Sequence, residues 1–122
     1  MRIHIQNPPP DDLFVITPLQ WNSCAERRPD VGLGHDISYA DDDAGFAKGM
    51  ADAELLIGPP GVLKGRSLAG APKLKIVFVM AAGMDKLMPF DWLPPGVALL
   101  NNRGAHGPKM REFALMALAM LN

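Results

Sequence analysis

KIVFVMAAGMDKL, residues 75–87, is the stretch on which the fold turns. Ile76 to Met80 form an unbroken apolar run rich in β-formers. Such a run, closed by small residues, reads as a strand buried on both faces, the signature of a parallel sheet. The run then meets Ala81-Ala82-Gly83 and turns polar at Asp85. Small residues there either end a strand or clear room for something to approach the main chain.

Working outward, the remaining apolar runs alternate with helical patterns. Met1–Gln6 alternates Ile3 and Ile5 with Arg2 and His4, a half-buried strand with His4 on the surface side, and Asn7-Pro8-Pro9-Pro10 breaks it. Thr17 before Pro18 is a hydroxyl N-cap followed by a first-turn proline, so a helix runs from Pro18 to about Arg28, before Pro29. Asp36–Ala40 makes a second strand. Asp43 caps a helix through Met50, and Glu54–Ile57 is a third strand stopped by Gly58-Pro59-Pro60-Gly61. A short helix is expected over Leu63–Ala69, the strand at Lys75–Met80, a helical turn or loop over Met84–Leu93, and a fifth strand at Val97–Leu100. Asp85 is expected to cap the short segment that follows the small residues. A final helix begins near Pro108. The 12 glycines and 12 prolines fall mostly between these runs.

The resulting order, βαβαβαβαβα, predicts an α/β domain: a five-stranded parallel sheet sandwiched between helices in three layers. A flavodoxin-like domain and half of a larger Rossmann-type protein both fit. In such sheets ligands lie outside the carboxyl ends of the strands. Three stretches therefore matter: Gly58 to Gly61, Ala81 to Gly83, and Asn101 to Gly104.

Composition narrows the function classes. The 122 residues suit one domain. A formal net charge of −1 gives no basic surface for nucleic acid or anionic lipid. The single cysteine, Cys24, excludes an intrachain disulfide and suggests reducing, cytoplasmic surroundings. The start has no apolar leader, and the longest apolar run, Phe113 to Leu121, is about half of what a bilayer requires. Phospho-receiver chemistry would need an aspartate ending the third strand, where Gly58-Pro59 stands. Gly32-Leu33-Gly34 lacks the third glycine of a dinucleotide fingerprint and follows no strand, and GVLKGRS (61–67) is one residue short of a phosphate loop. His4, His35 and His106 are too dispersed for a metal site. Asp41-Asp42-Asp43 reads as a solvated loop and helix cap.

ADAELLIGPPGVL, LAGAPKLKIVFVMAAGMDKL, LPPGVALLNNRGAHG and MREFALMALAML, in that order, resemble the substrate-binding domain of the NAD(P)-dependent D-2-hydroxyacid dehydrogenases, a family that includes glyoxylate/hydroxypyruvate reductases and phosphoglycerate dehydrogenases. The resemblance spans about residues 51–122. It implies a substrate-binding domain over 1–104 and a hinge with an apolar interdomain helix over 105–122. It implies that Ala81, Ala82, Gly83 and Met84 present main-chain amides to the carboxylate of a small 2-oxoacid or 2-hydroxyacid, Ala82 and Gly83 being the donors. Gly58 and Pro59 would wall the cleft, and Asn102, Arg103 and His106 would lie at the hinge. The cofactor, NAD or NADP, and the catalytic arginine, glutamate and histidine belong to a nucleotide-binding domain that has no counterpart in these residues. Hence no residue here is assigned a catalytic role, no cofactor is expected on this chain alone, and the chain by itself is expected to be inactive. The exposed final helix would favour a homo-oligomer, a dimer in the simplest case. The alternative is a stand-alone flavodoxin-like binding or interaction module without catalysis.

Overall fold

A computed structural model of the chain describes residues 1–120. It is an α/β fold in the order β1 (Arg2–Gln6), α1 (Pro18–Arg27), α2 (Pro29–Gly32), β2 (Asp36–Ala40), α3 (Asp43–Met50), β3 (Leu55–Gly58), α4 (Pro60–Leu63), β4 (Ile76–Val79), β5 (Ala98–Asn101) and α5 (Gly107–Met120), with short 3₁₀ turns at Asp85–Leu87 and Phe90–Trp92 between β4 and β5. All strand pairings are parallel, in the order β2-β1-β3-β4-β5. This is the flavodoxin-like arrangement, whose strand order reverses between β1 and β3.

Local chemistry accounts for the boundaries. Thr17 Oγ1 accepts from the Gln20 amide while the Gln20 side chain accepts from the Thr17 amide, a reciprocal capping box with Pro18 in the first turn. The α3 cap is Asp42, not Asp43: Asp42 Oδ1 accepts from Gly45 N at 2.7 Å. The helix expected over Leu63–Ala69 forms instead as one turn at Pro60–Leu63. Pro60 starts it, and Gly65, with φ of +78°, carries the chain away afterwards.

Side chains alternate between two cores. On one face Leu56, Val77 and Val79 pack with Phe46 and Met50 of α3, Leu63 of α4 and Leu87. On the other, Ile3, Ile5 and Ile57 pack with Trp21 of α1 and with Ile16, Ile37 and Tyr39. The α1 side of the sheet is covered over β1 to β3 and thins out over β4 and β5, where Phe78 and Met80 are half-buried and Leu100 is exposed. The final helix α5 is present, and none of its residues is buried; Phe113, Leu115, Met116 and Leu118 face solvent.

His4 corrects its expected place on the surface. It is 1% exposed, because a central parallel strand is covered on both faces and the alternating pattern no longer separates core from solvent. Ser38 Oγ lies 2.8 Å from its Nδ1 and Gln6 Oε1 lies 3.2 Å from its Nε2. A neutral ring protonated at Nε2 satisfies both, donating to Gln6 and accepting from the Ser38 hydroxyl. Phe46 packs edge-on to the imidazole, and the Arg66 guanidinium lies over the Phe46 ring. A Cβ on Gly49 would fall 2.1 Å from His4 Nδ1, so the α3 glycine is what lets helix and imidazole meet.

Burial lowers the His4 pKa below 6.5, and the nearby Arg66 charge acts in the same direction. The unfolded chain therefore takes up a proton near pH 6.5 that the folded chain refuses. Stability is full above that pH and declines as pH falls through 6.5 toward the folded value, with a slope of at most about 1.4 kcal/mol per pH unit. Urea midpoints measured from pH 7.5 to 5, above the range where carboxylates titrate, should fall; a level profile would contradict the buried neutral imidazole.

Candidate functional site

Parallel strands bring their carboxyl ends to one edge of the sheet, and there the chain forms an open cleft of about 600 Å³. It lies at the β1/β3 switch point. Pro8 and Pro9 beyond β1, Pro59 and Pro60 beyond β3, and Ala81 and Gly83 beyond β4 line it. Asp12, Asp85 and Lys86 are its charged groups.

The loop beyond β4 is held by its carbonyls. The Asn102 amide donates to Ala81 O at 3.0 Å, and Asn101 Nδ2 donates to Ala82 O at 2.8 Å. The Met80 amide is used by Gly58 O, and that of Ala81 by Val79 O. The amides of Ala82, Gly83 and Met84 donate to no protein atom among the described residues. Gly83 does not have left-handed backbone geometry, and a Cβ there would meet nothing nearer than Asp85 Oδ2 at 3.7 Å. Nothing inside the fold demands a glycine at that position. Successive unpaired main-chain N–H groups beside open space are the elements of an anion-binding concavity.

Asn7 performs a second tether. Its Nδ2 donates to Ile16 O at 3.0 Å and its Oδ1 accepts from Ile16 N at 2.9 Å. The loop between them is pinned at both ends and carries Leu13, 98% exposed, and Phe14 at the rim of the cleft. Asp12 Oδ1 accepts from the Phe14 amide at 2.9 Å and fixes the turn before it.

Of the residues that the sequence points to, Pro59, Ala81 and Gly83 line the cleft and Ala82 is exposed beside it. Gly58 is buried behind the wall: a Cβ there would sit 3.0 Å from Gln6 O and from Leu63, so its smallness serves packing. Met84 leans on the core. Asn102 lies along a groove on the thinly covered sheet face, with Phe14, Phe78 and Met80. Arg103 and His106 are exposed on the connection to α5, which turns at Gly104, φ +85°. Asp85, the expected cap of the turn that follows, makes no side-chain cap bond. Asn7 and Phe14 carry no signal of a site in the sequence, and Asn101 is marked there only as part of a strand end, not as a tether of the neighbouring loop. The asparagines act through main-chain groups that only the folded chain brings near, and Phe14 sits in a segment without periodicity.

Other hollows are structurally occupied by their own chemistry. The one at the amino ends of the strands contains Arg2 and Asp52, paired at 2.7 Å, and Asp52 is also paired with Lys73. These partners, Lys73 foremost, hold the Asp52 carboxyl below the usual range. A more apolar hollow of about 450 Å³ lies between α1, α2 and the sheet, with Trp21 and Cys24 in its wall. Among the described residues no group of three His, Cys, Asp or Glu is placed to hold a metal, and no helix is long and apolar enough to cross a membrane.

No family model matches the chain, and no curated protein or solved structure matches it either.

Asn101→Ala should release the Ala82 carbonyl and loosen the loop. Backbone order parameters at Ala82 and Gly83 should drop from about 0.85 toward the flexible range below about 0.6, while global stability changes by only about 1 kcal/mol. Unchanged order parameters would show that Asn101 does not hold these amides.

Proposed function

We propose that this chain is the substrate-binding portion of an NAD(P)-dependent D-2-hydroxyacid dehydrogenase, and that it binds the carboxylate of a 2-oxoacid or 2-hydroxyacid. The observation that carries the reading is the run of unpaired amides at Ala82, Gly83 and Met84, the central one of which, Gly83, lines the switch-point cleft. Main-chain amides bonded to a carboxylate form charge-assisted bonds, shorter and roughly twice as strong as neutral ones. Lys86 adds a positive charge near the same wall; the Asp85 carboxylate beside Gly83 works against it.

These residues do not fit a dinucleotide. β1 runs into Asn7-Pro8-Pro9-Pro10 rather than a glycine-rich turn, and Gly32-Leu33-Gly34 lies between α2 and β2. No step of hydride transfer is assigned to them; in this reading the cofactor and the acid–base groups belong to a partner domain. A stand-alone binding module without catalysis is the second reading, favoured by a cleft walled by the chain's own strand ends and loops.

Amide-resolved NMR titration with glyoxylate tests the carboxylate reading. Signals of Ala82, Gly83 and Met84 should move saturably, and those at the amino ends of the strands should not. Amides at 82–84 that stay still at high millimolar glyoxylate would refute it. NADH oxidation with glyoxylate should be undetectable with the 122-residue chain, and turnover by that chain would refute the placement of the chemistry elsewhere.

We also propose that α5 mediates homo-oligomerisation. Phe113, Leu115, Met116, Leu118 and Met120 are all exposed on a helix with no charged residue after Glu112. Apolar surface left this open associates. Sedimentation should show an average mass rising toward that of a dimer with concentration, abolished by Phe113→Glu with Leu118→Glu. A concentration-independent monomer would overturn this assignment.

A further inference from the structure

We infer that the cleft selects monoanionic 2-oxoacids bearing an apolar substituent of several carbons, and that Phe14 is the wall on which that substituent packs. The inference rests on the carboxylate reading above and adds the chemistry of the rest of the ligand.

The lining decides the class. Apart from the charged Asp12, Asp85 and Lys86, the wall is largely apolar: Pro9, Phe14, Pro59, Val62 and Met80. Its volume of about 600 Å³ falls within the range of small-molecule sites, about 300–1,000 Å³, and far exceeds a two-carbon acid. Glyoxylate held at Gly83 would leave most of that wall in water. An aliphatic substituent on C2 would displace the water from it.

Charge limits the class from the other side. Asp12 and Asp85 face one Lys86, so the cleft carries a formal charge of −1 before any ligand enters. One carboxylate is met by the loop amides and the lysine. A second, phosphate-borne dianion would meet two carboxylates and no further cation, and like charges repel. Phosphorylated 2-hydroxyacids are disfavoured on that ground.

Phe14 is placed rather than merely exposed. It is 52% exposed, its amide is held by Asp12, and its loop is closed at both ends by the Asn7–Ile16 pair. Phe14 and Met80 both line the cleft and the neighbouring groove on the open sheet face, so the two together form the partition between these spaces. An aromatic side chain in this position offers a large apolar surface with little conformational freedom to lose.

The test is amide-resolved titration of the full chain with glyoxylate, 4-methyl-2-oxopentanoate and 3-phosphoglycerate. All binding is read at the 82–84 amides. We expect 4-methyl-2-oxopentanoate to bind at least about tenfold more tightly than glyoxylate, the effect of one or two well-packed methylenes, and 3-phosphoglycerate more weakly than glyoxylate. Phe14→Ala should cut the preference for the branched acid over glyoxylate to about threefold or less, with Phe14→Leu restoring most of it. Equal affinity for glyoxylate and the branched acid, or tightest binding of 3-phosphoglycerate, overturns the inference while leaving the carboxylate reading in place. A preference that survives Phe14→Ala overturns the role of Phe14. Silence of the 82–84 amides with every probe overturns both.

Discussion

All five strands point the same way, and this single constraint creates the cleft. A parallel sheet needs a crossover after every strand, so every carboxyl end emerges on one edge and every return path runs over a face. The register fixes which residues meet there: Gly58 pairs with Val79, and Val79 with Asn101, so the chain leaves β3, β4 and β5 at one level. At that level Asn101 and Asn102 take the carbonyls of Ala82 and Ala81. Once the carbonyls are turned into the fold, the amides that follow have no partner within it.

The same sheet buries polar groups near its centre. His4 and Gln6 lie side by side on β1, facing the α3 layer, and Gln6 is fully buried. Burying such groups costs free energy unless they are bonded, which is why Ser38 on the neighbouring strand and the Gly49 contact matter. Gln6 Nε2 has no partner among the described residues. A network of this kind specifies one register of β1 against β2, since a shift by one residue would part His4 from Ser38.

Coverage of the sheet is uneven, and the unevenness has a direction. The α1 side is well packed across β1 to β3 and open over β4 and β5, beside the same Phe14 and Met80 that border the cleft. The α5 helix, the long helix that follows β5, is not laid on that face. The open sheet face and the cleft thus adjoin along Phe14 and Met80, and both present apolar side chains to whatever occupies them.

The strands, their order along the chain and their parallel direction were legible because each follows from local residues: the run Ile76 to Met80, the Ile3/Ile5 alternation, and Gly-Pro punctuation at 58–61. The α1 start was legible for the same reason, since Thr17, Pro18 and Gln20 act within one turn. The loop at Ala81–Gly83 was legible as a place where side chains are withheld. The burial of His4 was not, because alternation along β1 says which residues share a face and not whether that face is covered. The helix expected at Leu63–Ala69 gave way to Pro60–Leu63 because a proline start and a left-handed glycine outweigh weak periodicity. The tethers from Asn7 and Asn101, and Phe14 at the rim, were decided by tertiary structure alone. They depend on atoms distant along the chain, or on a loop without regular spacing, coming together in space. Sequence records the neighbours a residue has along the chain; which main-chain groups stay unpaired is settled only when every other donor and acceptor has found its place.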